Sequence, residues 1–212
     1  MTVASSPEST ATHLSRPPTA PSSARVVIIG GGAAGTSVAY HLSKRGMTDI
    51  VLLEKGLLSS GTTWHSAGDI PLMKPTGLIG LVRYGAQLYA QLEEETGQSV
   101  GWRNCGYIKV ARTRARFEDY KRSVSTFNAL GGAAEVISNE RVKEIWPLAT
   151  VDDLKGAVWE PGSGRLDPTG LVQAYAKGAR SRGVTIVENC TVLGIEQNKG
   201  VVTGVVTSHG AI

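Results

Sequence analysis

The chain has 212 residues, with 22 Lys+Arg against 18 Asp+Glu and a formal net charge of +4. That length holds one large domain or two small ones, and a hydrophobic share of 41% excludes a wholly disordered chain. No run approaches the ~18 apolar residues of a membrane span, and the basic excess is too scattered to suggest a nucleic-acid partner.

Residues 1–24 are rich in Ser, Thr, Pro and Ala and read as a disordered leader. They carry no apolar core of a secretory signal, and a transit peptide would hold more Arg and no acid. The folded part is expected to open at Arg25. Val26-Val27-Ile28-Ile29 reads as a buried parallel strand, and a helix runs to about Arg45, where Gly46 ends it. A second strand follows from Asp49 to Glu54. Between the first strand and the helix, Gly30, Gly32 and Gly35 match G-x-G-x-x-G. The first glycine permits the tight turn, the second lets backbone approach a pyrophosphate, and the third lets helix pack on strand. The helix N-terminus adds N–H groups and the positive end of a dipole. Glu54 comes 19 residues after Gly35, where a carboxylate can accept from a ribose diol. The unit says dinucleotide, and its spacing alone does not decide between FAD and NAD.

Residues 59–68, SSGTTWHSAG, set a Trp-His pair among small and hydroxyl residues. Such a segment can lie against a flat ring. Read from the residues alone, His65 is a nucleophile or acid/base, or else a loop histidine that only hydrogen-bonds. Residues 76–96 are expected to be helical, then 105–111 a strand, 114–130 a helix ended by Gly131-Gly132, and 138–146 a helix stopped by Pro147. Asp167-Pro168 is a helix start, with Asp as N-cap and Pro at the first helical position. That helix runs to Gly183. Strands are expected over 184–188, 191–196 and 200–208, after which the chain stops as a fragment of a longer protein would. Trp102, Trp146 and Trp159 read as packing residues, and Tyr107 as a strand residue with an even chance of facing a cavity. Cys105 and Cys190 form no CxxC pair, fit a reducing compartment, and read as small buried hydrophobes. His13, His41 and His209 show no partner at useful spacing.

The order VVIIGGGAAGTSVAYHLSKRG, LLEK, SGTTWHSAG resembles the D-amino-acid-oxidase-type flavoproteins, and more narrowly their sarcosine and dimethylglycine dehydrogenase branch. GSGRLDPTGLVQAYAKGARSRGV and ENCTVLGIEQNKGVVTGV are similar to later segments of that branch, so the resemblance covers about residues 25–212. Asp69 departs from it, because an apolar residue usually follows that glycine. The resemblance implies an α/β fold: a Rossmann-like FAD-binding domain with an inserted mixed-sheet substrate domain, incomplete at the C-terminus. Its parts would be 25–75 (FAD domain), 76–161 (start of the substrate domain) and 162–212 (FAD domain again). The cofactor would be FAD, covalent through His65, with contacts at Gly30, Gly32, Gly35, Glu54, Lys55, Thr62, Thr63 and Val192, and no metal. The reaction implied is hydride transfer to flavin from a small N-methyl amine or amino acid bearing a carboxylate. Arg83 and Arg103 are candidate anchors by chain position only, and surface arginines otherwise. Folate would be a partner of the missing C-terminal part, with neither nucleic acid nor membrane involved. Two alternatives stay open: a noncovalent-FAD amino-acid oxidase, and a non-catalytic regulatory homologue of the same branch. The cytoplasm is the expected compartment, with the mitochondrial matrix as alternative.

Overall fold

A computed structural model describes residues 19–212. His13 and most of the expected leader lie outside the described residues. Thr19–Ala24, also assigned to that leader, already run along the fold, with Ala20 and Ala24 packed beside Val187 and Val205.

In chain order the elements are β1 (Val26–Ile29), α1 (Ala33–Lys44), β2 (Ile50–Leu53), a single 3-10 turn (Thr62–His65), β3 (Asp69–Ile70), α2 (Thr76–Thr96) and β4 (Tyr107–Ala111). Then come α3 (Arg114–Ala129), β5 (Glu135–Ile137), α4 (Asn139–Ile145), β6 (Gly156–Glu160), β7 (Gly164–Arg165) and α5 (Pro168–Arg180). β8 (Thr185–Val187), β9 (Val192–Asn198), β10 (Val201–Thr207) and β11 (Gly210–Ala211) close the described chain.

β1, β2 and β8 form a parallel sheet in the order β1-β2-β8. A parallel sheet is covered on both faces, so its strands read as unbroken apolar runs. Ile28, Ile50, Leu52 and Ile186 face α1 and α5, where Ala39, Val172, Ala176 and Ala179 receive them. Val51, Leu53 and Val187 face the other way, toward Cys190 and Val205 beneath the antiparallel sheet β11-β10-β9. Each fully buried aliphatic side chain here contributes roughly 1.5–3 kcal/mol. α5 starts as expected: the Asp167 carboxylate accepts from Thr169 N at 2.9 Å, and Pro168 occupies the first turn.

The second unit was only partly foreseen. Its sheet runs β4-β6-β5 with both pairs antiparallel, and neither β5 nor β6 was expected. β6 escaped because both of its faces are covered. Ala157 packs toward α4, Val158 toward α3, and the strand ends on the buried carboxylate of Glu160, which breaks any apolar pattern. α2 bridges the two units. Its Ile79 joins Phe127 and Val158, while Leu88 and Leu92 pack on Tyr40 and Tyr175. An ion cluster fastens α1 to α2 and to the chain after α5, with Lys44 and Arg182 both on Glu95.

Two further expectations fail locally. Cys105 is exposed, because it sits in the loop before β4 and not in a strand; Cys190 is buried. His41, expected to lack partners, finds them across the fold. Its Nδ1 lies 2.7 Å from the Ser37 carbonyl and its Nε2 2.9 Å from Tyr84 Oη. A carbonyl only accepts, so Nδ1 carries the proton. Tyr175 packs beside it, and burial pushes the Tyr175 hydroxyl well above its ordinary pKa.

Candidate functional site

The carboxyl ends of β1 and β2 open into a crevice, where ligands of open α/β sheets sit. Gly30 leaves β1 at φ +107, and its N–H donates to the Leu53 carbonyl at 2.8 Å, which fixes the loop to β2. A side chain at Gly35 would collide with the Gly30 carbonyl oxygen, so the third glycine is demanded by close approach. At Gly32 an added Cβ would stand 2.9 Å from Thr63 Oγ1. The same Thr63 oxygen accepts from Ala33 N, at the start of α1, at 3.1 Å. A distant hydroxyl thus rests on the helix end that the glycine motif offers to a phosphate.

Glu54 holds this loop in place. Its Oε2 accepts from Gly31 N at 2.6 Å and its Oε1 from Gly56 N at 2.9 Å. Each carboxylate oxygen has a further lone pair, so Glu54 can still accept from a diol. A cavity of about 170 Å³ lies beside it, lined by Ile29 at the end of β1 and Gly30 after it, Leu53 at the end of β2 with Glu54 and Lys55 after it, and Cys190 and Thr191 leading into Val192 at the start of β9. Gly30, Glu54, Lys55 and Val192, picked separately along the sequence, therefore share one concavity. Ile29, Cys190 and Thr191 were missed. The available signal was their position at strand ends on the crevice side, visible once the strands are placed. Ile29 is 52% exposed, unusual for a strand-end isoleucine and suited to a flat ring.

Thr62, Thr63 and His65 belong to the 3-10 turn, with Thr62 and His65 exposed. The Trp64 and His65 rings stack, with centroids 4.0 Å apart and planes tilted by 34°. Among the described residues, no hydrogen bond engages the His65 ring. Asp69, the departure from the family pattern, pairs with Arg165 in the β3–β7 ribbon, which explains how a polar residue is accommodated. Neither arginine candidate lines the crevice. Arg83 Nη1 donates to the Leu130 carbonyl at 2.8 Å, and Arg103 bridges Arg165 through backbone. Trp102 packs near Tyr89, Trp159 packs over Gly106, and Trp146 is exposed. Tyr107 pairs with Glu160 in the sheet, and His209 lies exposed near the end of the chain.

The residues present fit a dinucleotide. The glycines leave backbone open to a pyrophosphate, the helix end lacks an acid in its first turn, and a carboxylate and an exposed apolar platform flank the crevice. Among the described residues, no group of three or more His, Cys, Asp or Glu could hold a metal ion, and no helix is long and apolar enough to cross a membrane.

Comparison with known proteins agrees with this geometry. Human sarcosine dehydrogenase, mitochondrial, is 42% identical over 199 residues, covering 91% of this chain and 22% of that protein. The mouse pyruvate dehydrogenase phosphatase regulatory subunit, mitochondrial, is 42% identical over 193 residues, covering 91% of this chain and 22% of that protein. The chain thus spans about a fifth of the length of these relatives. The crystal structure of L-proline dehydrogenase from P. horikoshii superposes with a TM-score of 0.86 at 28% identity, covering 91% of this chain and 51% of that one. The family described as "DAO: FAD dependent oxidoreductase" matches residues 25–212, and the chain belongs to it.

Proposed function

We propose that the protein oxidises a small N-methyl amine or amino acid of the sarcosine or dimethylglycine type, with FAD held covalently by His65. The observation that carries this reading is the Thr62–His65 turn. It joins a hydroxyl resting on the N-terminus of α1 to an exposed imidazole whose ring makes no hydrogen bond among the described residues. One short segment can thereby touch the phosphates and reach toward the ring of the same cofactor.

The bound FAD would supply the two-electron acceptor that no side chain provides. Gly30, Gly31 and Ala33 N–H are already engaged, so the N–H groups of Gly32 and Ala34, which have no acceptor among the described residues, bind the pyrophosphate. Glu54, kept rigid by Gly31 and Gly56, accepts from the ribose, with Lys55 and Val192 beside it. Thr63 orients the turn, and Trp64 stacks on His65 to limit the angles the imidazole can adopt.

Acid precipitation of the purified protein tests the attachment. The yellow colour is expected in the pellet, on the peptide containing His65, and His65→Ala is expected to send it to the supernatant. Colour in the supernatant of the unaltered protein would move the reading to a noncovalent oxidase. A second reading is favoured by the equal identity to a phosphatase regulatory subunit. Anaerobic addition of sarcosine or dimethylglycine separates the two: bleaching supports the oxidoreductase, and a flavin that no amine bleaches supports the regulatory homologue. The mitochondrial relatives favour the matrix over the cytoplasm.

A further inference from the structure

The second unit holds a cavity of about 460 Å³ between the start of α2, strand β4 and helix α3. Small-ligand pockets span roughly 300–1,000 Å³. None of its lining residues lines the nucleotide crevice. Lys109 contributes to it with a side chain only 20% exposed, and its Nζ lies 2.7 Å from Glu160 Oε1. The same Nζ donates to the Met73 carbonyl at 3.0 Å. An ammonium carries three protons, so one donor is left over. Glu160 cannot turn to take it. That residue is 1% exposed, and its Oε2 already accepts from Met73 N and Ser163 Oγ, each at 2.9 Å.

The hydroxyl side chains of Ser123 and Thr126 also line the cavity; Ser123 Oγ donates to the Asp119 carbonyl at 3.0 Å, and the Thr126 hydroxyl makes no hydrogen bond among the described residues. Lys74 and Arg122 add positive charge to the lining, and the first turn of α2 has neither an acid nor a side-chain cap. One acid also lines the cavity, Asp119, and it is engaged by Arg116 and Arg122, each at 3.5 Å. Buried Ile79 and Phe127 form an apolar wall.

We infer that this cavity binds a small organic carboxylate. The carboxylate accepts the remaining Lys109 proton and the Thr126 hydroxyl proton, and its carbon chain lies on Ile79 and Phe127. The positive lining repels a metal cation. A phosphate ion would leave the apolar wall uncovered and find too few donors. The inference does not depend on the flavin, so the two readings can fail separately.

Calorimetry on the full chain tests it, with hexanoate, hexanamide and inorganic phosphate as probes and flavin content measured alongside. Hexanoate is expected to bind saturably at one site, and hexanamide at least about tenfold more weakly. Phosphate is expected not to displace hexanoate. Thr126→Trp, at an exposed position of α3, should fill the cavity and abolish the hexanoate heat without moving the thermal midpoint. Lys109→Met should weaken hexanoate at least about tenfold. Because that change strands Glu160, Lys109→Met with Glu160→Gln repeats the measurement in a background without the buried charge. Absence of hexanoate binding would overturn the inference. So would equal binding of hexanamide, displacement by phosphate, or binding that survives Thr126→Trp.

Discussion

Two concavities of the molecule, the nucleotide crevice and the cavity of the second unit, are built by opposite means. The crevice at the ends of β1 and β2 is made mostly of backbone: glycine N–H groups, a helix end, and one carboxylate tied down by two further N–H groups. The cavity of the second unit is made of side chains, with a nearly buried lysine held by a fully buried glutamate. Backbone donors survive most substitutions and fail when a Cβ intrudes. Side-chain donors fail when a single charge is removed, because its partner is left buried and unpaired.

The largest effect is therefore expected at Glu160. Glu160→Ala should cost about 3–5 kcal/mol in a urea titration, since it strands the Lys109 ammonium and frees Met73 N. Lys109→Met combined with Glu160→Leu should recover part of that loss, and strict additivity of the two single changes would break the comparison. Next comes Gly35→Ala. Its methyl meets the Gly30 carbonyl, and about 1–3 kcal/mol of stability should disappear together with retained flavin. Glu54→Gln keeps the shape but loses the charge that strengthens two N–H bonds. In a His65→Ala background, where the flavin is held only by noncovalent contacts, FAD affinity should fall by about tenfold, read by ultrafiltration of released flavin, with little change in thermal midpoint.

The smallest effect lies outside both concavities. Burial opposes ionisation of Glu95, but hydrogen bonds from Lys44, Tyr40 and Arg182 outweigh it and hold its carboxyl at about 2, below the usual 4.5. A folded-state pKa below the unfolded one contributes stability that is complete above about 4.5 and lost as pH falls toward about 2. Glu95→Gln removes this term. The stability gap between wild type and variant should hold at neutral pH and close over that acid window, as followed by denaturation at stepped pH.

The first unit could be read from the residues because its signals are local. Apolar runs, a glycine turn between strand and helix, and Asp167-Pro168 each act over a few positions. Gly30 and Glu54 followed from the glycine motif and its acid, Lys55 and Val192 from the family resemblance, and the four line one cavity. The second unit resisted for a physical reason. Glu135–Ile137 is too short to show a period, and Gly156–Glu160 is covered on both faces and ends in a charge. His41 and Tyr84 are 43 residues apart, and no spacing rule announces such a pair. Cys105 and Cys190 are the same residue type, and only their places in the fold make one exposed and the other buried.

By itself, then, the sequence determined the β–turn–α–β unit, the glycine loop, the acid that closes it and the Trp-His segment, because steric demand at glycine and apolar periodicity are written residue by residue. Only the tertiary structure decided that Thr63 rests on the start of α1, that β6 forms the middle of the second sheet, and that Lys109 keeps one proton free above a buried glutamate. Those outcomes depend on contacts between distant segments, whose energies exist only after the chain has closed on itself.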